Sequence, residues 1–479
     1  MKLKDNKIYR LIIIPICILL SLFGKYIPTN NVLTMDAMGV ICIFASSLIL
    51  WLTIGIDWPS LLCIFSLGFL DSLGFSKVFQ LSFGNSTWIF LIFTFICTYA
   101  LSKTSLIKRI ALFFINLKLA KKSTYSFINF FLLSVLLLGL FISPTVLFVI
   151  ILPILKKIFE LSNIEKGDKI AKVLMAGLGF TISISSGMTP IAHVFPLLAF
   201  NAANIEMSPI LYMGVAIPVG LIIFILMLII FKMIKLDKNK LKNVNIDELK
   251  KDLEPITKKD IITLIIFIVV IILWIIPSLF KDISIDFYNS INKYGTAMPP
   301  LLGVILLSII RIDNKPIIEI GDAFKNGVPW GNLMMCAATL VLGSALMNDS
   351  IGIKSVLQET LGNSLNGVPQ IILLIVFVAW ASLQTNLSSN MVTATLVATI
   401  ASSVLISINS SLNMTTIIAL IGMNASFAYA TPPSMPHIAI IAGSEYCDTK
   451  FVLIYGSILM IISILISLLI GYPLGSVIL

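Results

Sequence analysis

Long apolar runs punctuated by compact clusters of small polar residues set the pattern of this chain. From the start, apolar stretches predict helices over 9–28, 36–55, 58–73 and 86–102, each near the 20 residues that cross a bilayer. The next run, Tyr125 to Leu155, is longer and is broken at Ser143-Pro144-Thr145. Basic residues flank it on both sides (Lys121 and Lys122, then Lys156 and Lys157). Charge at both ends with a break between them predicts a re-entrant hairpin. The segment 170–205 carries Ser183-Ile184-Ser185-Ser186-Gly187-Met188-Thr189-Pro190. Gly, Ser and Pro together predict two half-helices joined by an unwound turn there. Helices over 209–233, 261–280 and 298–311 follow.

The pattern then recurs. Cys97-Thr98-Tyr99-Ala100-Leu101 resembles Val341-Leu342-Gly343-Ser344-Ala345-Leu346 in character, about 245 residues on, as an internal structural repeat would. A second broken run, 368–406, carries the polar cluster Leu383 to Thr395. A second broken helix, 413–446, carries Ala430-Thr431-Pro432-Pro433-Ser434, and a last helix is predicted over 451–471. The loops around 348–366 and 405–412 hold one Lys, so the second hairpin is expected to open to the side opposite the first. The fold class this predicts is an all-α polytopic membrane protein. It has about 11 transmembrane segments and two re-entrant helical hairpins in an inverted repeat, an architecture of secondary transporters.

Composition agrees. The chain has 479 residues, 58% hydrophobic and 12% charged, with a mean hydropathy of +1.04. The longest polar stretch, 232–260, is a loop rather than a soluble domain. The net charge of +10 does not point to nucleic acid, because all but Lys25, Lys77, Lys281, Lys293 and Lys354 fall on one predicted side. That bias sets orientation: N-terminus cytoplasmic, C-terminus outside, in a plasma or inner membrane. The apolar run after Lys2, Lys4, Lys7 and Arg10 has no clear cleavage site, so it reads as an uncleaved first helix. Six scattered cysteines show neither metal-ligand spacing nor a disulfide framework.

Polar clusters are costly inside a membrane unless they face a cavity, an ion or another segment. The candidate substrate-binding residues are Ser143, Thr145, Thr189, Pro190 and His193 in the first half, and Ser389, Asn390, Thr393, Thr431, Pro432 and His437 in the second. The only two histidines, His193 and His437, fall at corresponding places after the two breaks. A substrate or proton role for them stands beside a purely structural one. For the other polar residues the competing reading is helix–helix hydrogen bonding.

Several stretches together resemble the divalent anion/sodium symporter family, over nearly the whole chain. Gly84-Asn85-Ser86-Thr87 through Leu101-Ser102-Lys103-Thr104-Ser105-Leu106-Ile107-Lys108-Arg109-Ile110-Ala111-Leu112 is similar to that family's G-N-x-x … L-x-K-T-G-L-x-x-R-I-A-L. Pro329-Trp330-Gly331 resembles its I-P-W-G, and Ser143-Pro144-Thr145 and Ser389-Asn390 its two Ser-Asn-Thr signatures. Ala425-Ser426-Phe427-Ala428-Tyr429 and Ala439-Ile440-Ile441-Ala442-Gly443-Ser444 resemble the surroundings of its second T-P-P-N. The resemblance implies a homodimer in which a static scaffold (1–84, 207–330, 448–479) carries a mobile transport domain (85–206 and 331–447). It also implies one site between both hairpin tips and both unwound turns, where half-helix N-termini and Ser-Asn-Thr side chains hold carboxylates. The chain departs from the family at Gly139, Pro144, Asn386 and Met391, and around His193 and Met435.

The function expected is Na⁺-coupled transport of a small divalent organic anion, a C4-dicarboxylate or a relative, by an elevator movement. No organic cofactor is expected. Implied sodium ligands are Thr385, Ser389 and Asn390 with a carbonyl near Ser434, and Ser143 with carbonyls near Ala192. Gly139 and Pro144 remove a hydroxyl and an amide, so the first-half ion site is expected to be weak or absent. The alternatives are a proton-coupled or exchanging anion transporter, and a membrane-embedded enzyme. The acidic residues (Asp71, Glu160, Asp286, Asp349) sit in loops and at helix ends rather than deep in helices, which disfavours a proton–sodium antiporter. Two histidines without intramembrane carboxylates make a poor catalytic constellation.

Overall fold

The computed structural model describes residues 7–29, 33–242, 244–251, 253–279, 286, 290, 293–346, 348, 350–353 and 368–479. Lys281, Asp349, Lys354 and the 361–366 loop lie outside the described residues. In chain order the helices are α1 (Lys7–Phe23), α2 (Met35–Thr53), α3 (Asp57–Leu67), α4 (Gly74–Leu81), α5 (Ser86–Ser102) and α6 (Leu106–Asn116). Then come α7 (Thr124–Gly139), α8 (Pro144–Leu161), α9 (Lys169–Met188), α10 (Phe195–Ala202), α11 (Pro209–Met233), α12 (Ile246–Lys251), α13 (Lys258–Leu279) and α14 (Met298–Ile309). A two-stranded turn, β1 (Arg311–Ile312) against β2 (Lys315–Pro316), precedes the second half. That half holds α15 (Trp330–Leu346), α16 (Gln370–Leu387), α17 (Asn390–Ser407), α18 (Met414–Ser426), α19 (Pro436–Ala442), α20 (Thr449–Ile466) and α21 (Tyr472–Ile478).

Among the described residues six helices are long and apolar enough to cross a membrane, eight if each of two bent pairs counts as one span. Fewer pass this test than the eleven expected because several apolar helices are short. Asp57–Leu67 ends well before the 73 expected of it, and Thr124–Gly139, Met298–Ile309 and Met414–Ser426 are also below 18 residues. Helices α4 and α6, the two-residue strands and α12 were not anticipated. They are amphipathic or polar surface pieces without a long apolar run.

Burial separates the layers. The apolar window of α9 is 94% buried, whereas that of the C-terminal Thr449–Ile478 stretch is 22% buried. Helix α9 is therefore the centre of the bundle, packed by α7, α8, α11, α18 and α19, and the last helices offer Leu453, Ile461 and Leu469 outward. The close fit around α9 depends on missing side chains. A Cβ on Gly187 stands 2.7 Å from the Phe427 ring and 3.1 Å from the Met423 carbonyl. A smaller cluster joins α2, α3 and α4 to α15 through Val40, Ile43, Leu67, Val78 and Met335.

The two halves share one element order: helix, helix–tip–helix, broken helix, long helix. Their details agree as well. Asn163 after α8 and Asn409 after α17 both adopt left-handed backbone, φ 48° and 46°. Each closes the same helix-ending motif, Ile164 N–H to Phe159 O at 2.9 Å and Ser410 N–H to Leu405 O at 3.0 Å. The Asn163–Asn409 spacing equals that between Ser143 and Ser389. Helix α5 packs on α13 and α14, while its counterpart α15 packs on α2 and α3. Each half thus leans on the other's flanking pair.

The basic loops gather at one end. Thr124 N–H bonds the Lys238 carbonyl at 2.9 Å, Arg109 donates to the Glu254 carbonyl at 2.5 Å, and Lys103 sits 4.8 Å over the Tyr99 ring.

Candidate functional site

Both hairpins turn over short tips, 140–143 and 388–389, and each break in the broken helices contains a Thr-Pro pair, Thr189-Pro190 or Thr431-Pro432. The first break spans 189–194, later than the serines that signalled it. Ser185 and Ser186 stay helical because their hydroxyls bond carbonyls three residues back, Ile182 at 3.0 Å and Ser183 at 2.8 Å. The unwound turns are then clipped to the hairpin tips in the same way in each half. Thr189 donates its hydroxyl hydrogen to the Leu140 carbonyl at 2.5 Å. Thr431 donates its own to the Asn386 carbonyl. Leu140 and Asn386 are equivalent, since each lies three residues before the tip serine, Ser143 or Ser389.

In the first half the tip opens on a cavity of about 260 Å³. Ser143, Pro144 and Thr145 form one wall, with Ala192 and His193 beside them. The opposite wall comes from Thr98, Tyr99 and Ser102 of α5 and from Asn326 to Pro329 and Asn332 before and within α15. None of the lining residues is charged. Helix α8 begins at this wall with Pro144 in its first turn, so the N–H groups that follow and the positive end of the helix dipole serve the cavity.

In the second half most polar groups around the break are paired. Asn386, 1% exposed, accepts the N–H groups of Tyr429 and Ala430 at 2.8 and 2.7 Å. Its amide nitrogen donates to Ser382 O at 2.8 Å and Phe427 O at 3.2 Å. Thr385 donates to Ala425 O at 2.6 Å and Ser434 to Thr431 O at 2.6 Å. Ser389 caps α17 by accepting from Val392 N–H at 3.5 Å, and Thr393 bonds back to Ser389 O at 2.9 Å. Asn390, in the first position of α17, is 5% exposed and its amide nitrogen has no partner.

Of the expected substrate residues, the structure brings Ser143, Thr145 and His193 into one cavity. Thr189 and Pro190 are buried just behind it. Ser389, Asn390, Thr393, Thr431, Pro432 and His437 do not line this cavity. Only the first-half residues of the site expected between both tips meet in this cavity. His437 is 1% exposed and packs against Phe148 at 5.9 Å, away from any cavity wall described above. Of the implied sodium ligands, Thr385, Ser389 and Asn390 lie at the second tip and Ser434 in the turn beyond it, and Ser143 and Ala192 stand side by side on the first cavity.

Sequence reasoning missed the far wall (Thr98, Asn326, Asn332) and the role of Asn386. The wall gave no signal, as single polar residues at helix ends are common. In the sequence Asn386 stands out only as a departure from the family pattern. All six cysteines are buried and unpaired. Among the described residues no group of three or more His, Cys, Asp or Glu side chains forms a metal site.

The fold is a polytopic helical bundle with duplicated tip-and-turn units, one of which borders a cavity without charged lining residues. The family model for the sodium:sulfate symporter transmembrane region matches residues 5–479, and the chain belongs to that family. No curated protein matches the chain. The family is one of multi-pass membrane transporters for anions with sodium as the coupling ion, a transporter family rather than an enzyme family.

Proposed function

We propose that the protein is a Na⁺-coupled symporter of a small divalent organic anion of the C4-dicarboxylate class. The observation that carries the reading is the cavity at the first tip. It sits at the N-terminus of an 18-residue helix, is lined by hydroxyl, amide and imidazole groups, and holds no Lys or Arg. Such a site neutralises a dianion with helix N-termini and a co-bound cation rather than with fixed positive side chains. Its volume is near the lower end of ligand pockets, about 300 Å³, which suits a small substrate.

The chain's own residues divide the work. The first-turn N–H groups of α8, Ser143 and Thr145 bind one end of the anion, and Asn326 and Asn332 close the far side. The second tip, with the free Asn390 amide, completes the site when the tips approach. Thr385, Ser389, Asn390 and Ser434 fit a sodium ion in the second half, and Ser143 and Ala192 one in the first, since all offer oxygen ligands. Sodium supplies charge balance and couples uptake to its gradient. Movement of 85–206 with 331–447 against the remaining scaffold, as an elevator within a homodimer, exposes the site alternately. The basic end of the bundle is the cytoplasmic one and the two hairpins open to opposite sides.

His193 on the cavity wall favours one alternative, coupling to protons or exchange in place of sodium symport. A ligand-stabilisation screen against C4-dicarboxylates, citrate and sulfate, with and without Na⁺, tests the reading. A bound ligand at 100 times its dissociation constant stabilises by about 2.7 kcal/mol. Stabilisation by dicarboxylate only with Na⁺ present is expected. Stabilisation by sulfate alone, or by dicarboxylate without regard to Na⁺ but steeply with pH, overturns it.

A further inference from the structure

Gly139 ends α7, and there is no room for a side chain on it. A Cβ there stands 2.0 Å from Ser185 Oγ and 2.7 Å from Ser185 Cβ. By the spacing that pairs Leu140 with Asn386 and Ser143 with Ser389, Gly139 is the counterpart of Thr385. In the second half the hydroxyl at this place comes from the hairpin. Thr385 sends its hydrogen across to the Ala425 carbonyl of broken helix α18, at 2.6 Å. In the first half the hairpin has none, and the hydroxyl of Ser185 on broken helix α9 occupies the space instead.

The two hydroxyls are in the same chemical state. Ser185 commits its hydrogen to the Ile182 carbonyl at 3.0 Å, as Thr385 does to Ala425. Each oxygen keeps lone pairs for another partner. Ser185 is fully buried and abuts the last residue of α7, next to the Leu140 carbonyl that Thr189 already meets at 2.5 Å. Gly139, which Ser185 abuts, and Leu140, whose carbonyl Thr189 meets, are chain neighbours, so α9 and the first turn approach the same end of the hairpin, as α18 and the second turn do at Thr385 and Asn386.

We infer that Ser185 supplies the hydroxyl ligand of a working first-half sodium site, with the hydroxyl moved from the hairpin to the helix facing it. This reverses the expectation that Gly139 leaves the first site weak or absent. It rests on the sodium-coupled reading above and assigns a residue that the hairpin signature does not contain.

The test is thermal stability of the purified full-length protein, titrated with NaCl against choline chloride at constant ionic strength and without substrate. Wild type is expected to gain stability specifically with Na⁺, with a Hill slope above one. Ser185→Ala should raise the half-saturating Na⁺ concentration by about tenfold or more, the scale of losing one metal-site partner, and bring the slope to one. Ser185→Cys keeps the volume but replaces a hard oxygen with a soft sulfur, and should do the same. It also carries the test if the alanine variant fails to fold. The transplant Gly139→Ser with Ser185→Gly returns the hydroxyl to the hairpin and should restore wild-type Na⁺ dependence. Alanine and cysteine variants that titrate like wild type overturn the inference and leave sodium coupling standing. A wild type with no Na⁺-specific gain overturns sodium coupling and this inference with it.

Discussion

His437 and Ser183, one from each half, meet at the centre of the bundle, with Nε2 3.0 Å from the hydroxyl oxygen. The Ser183 hydrogen goes to the Ala428 carbonyl at 2.9 Å, so Nε2 must be the donor and His437 is held as the neutral Nε2–H form. Nδ1 is buried without a partner. The chain is thus a structural strut: α19 to α9 to the second unwound turn. His193 differs, since it stands on the cavity wall. His193→Gln removes the imidazole from the cavity wall and should weaken the dicarboxylate-dependent rise in melting temperature. His437→Gln should leave that response in place, while His437→Leu lowers stability by about 0.5–1.5 kcal/mol through loss of the hydrogen bond to Ser183. A dicarboxylate response lost in His437→Gln and kept in His193→Gln would overturn the division.

Asn386 is a second strut with a sharper requirement. Its carbonyl oxygen takes two backbone N–H groups and its amide gives to two carbonyls, so both ends of one side chain hold the 427–430 turn. Asn386→Ala leaves buried N–H groups of Tyr429 and Ala430 unpaired, at about 1–3 kcal/mol each. Asn386→Asp keeps the acceptor but removes the donors and places a carboxylate against the Phe427 carbonyl. Both variants should melt well below wild type, and Asp should be rescued as pH falls toward carboxyl protonation. Thermal melts at pH 5 and 7.5 check this, and equal melting of Asp and wild type would rule it out.

Much of this was legible beforehand. Apolar run lengths placed α7, α8, α11, α13, α16 and α17 to within a few residues, because hydropathy and helix length are tied in a membrane. Thr-Pro pairs marked both breaks. What stayed hidden depends on which side chains face each other across the repeat. Nothing in a one-dimensional pattern says that Ser185 fills the gap at Gly139, or that Asn326 and Asn332 come round to face Ser143. The serines of α9 misled by type: Ser suggests a break, but back-bonding to carbonyls three residues earlier kept the helix whole through Met188.

Two ion pairs tie the halves together at one end, Lys166 with Glu445 at 2.5 Å and Lys172 with Asp448. Lys172 holds the Asp448 carboxyl below its ordinary pKa, helped by the Phe451 N–H that Asp448 caps at 2.7 Å. A depressed folded pKa adds stability above the unfolded carboxyl value, about 3.9, that disappears as pH falls through the folded one. Asp448→Asn should therefore melt lower than wild type at pH 7, and the difference should shrink as pH falls below the ordinary carboxyl value of about 3.9 toward the lowered folded one. A difference that is constant with pH would show that the cap alone matters.

The orientation proposal has a direct check. Cysteines introduced into the 236–258 loop, in a background without the six buried natural ones, should react with an impermeant maleimide only from the cytoplasmic face. Cysteines at Ser410 or Ser411, which close the second hairpin against Gln370, should react only from outside. Labelling of both positions from one side would remove the inversion, and with it the alternating-access reading.

Asn390 is where substrate and ion binding can be separated. Its buried amide nitrogen lacks a partner at the start of α17, a helix of 18 residues. An unpaired buried donor costs about 1–3 kcal/mol, and a carboxylate oxygen arriving there recovers that cost with the help of the helix dipole. The carbonyl oxygen on the same side chain is free to face a sodium ion. Asn390→Asp keeps an oxygen for the ion but turns the donor into a second acceptor, which repels an anion. It should therefore retain the Na⁺-dependent rise in melting temperature and lose the further rise with dicarboxylate. Asn390→Ala should lose both, and Ser143→Ala, on the open first cavity, should mainly weaken the dicarboxylate response. If Asn390→Asp still responds to dicarboxylate in Na⁺, the second tip does not hold the substrate, and the first cavity binds it alone.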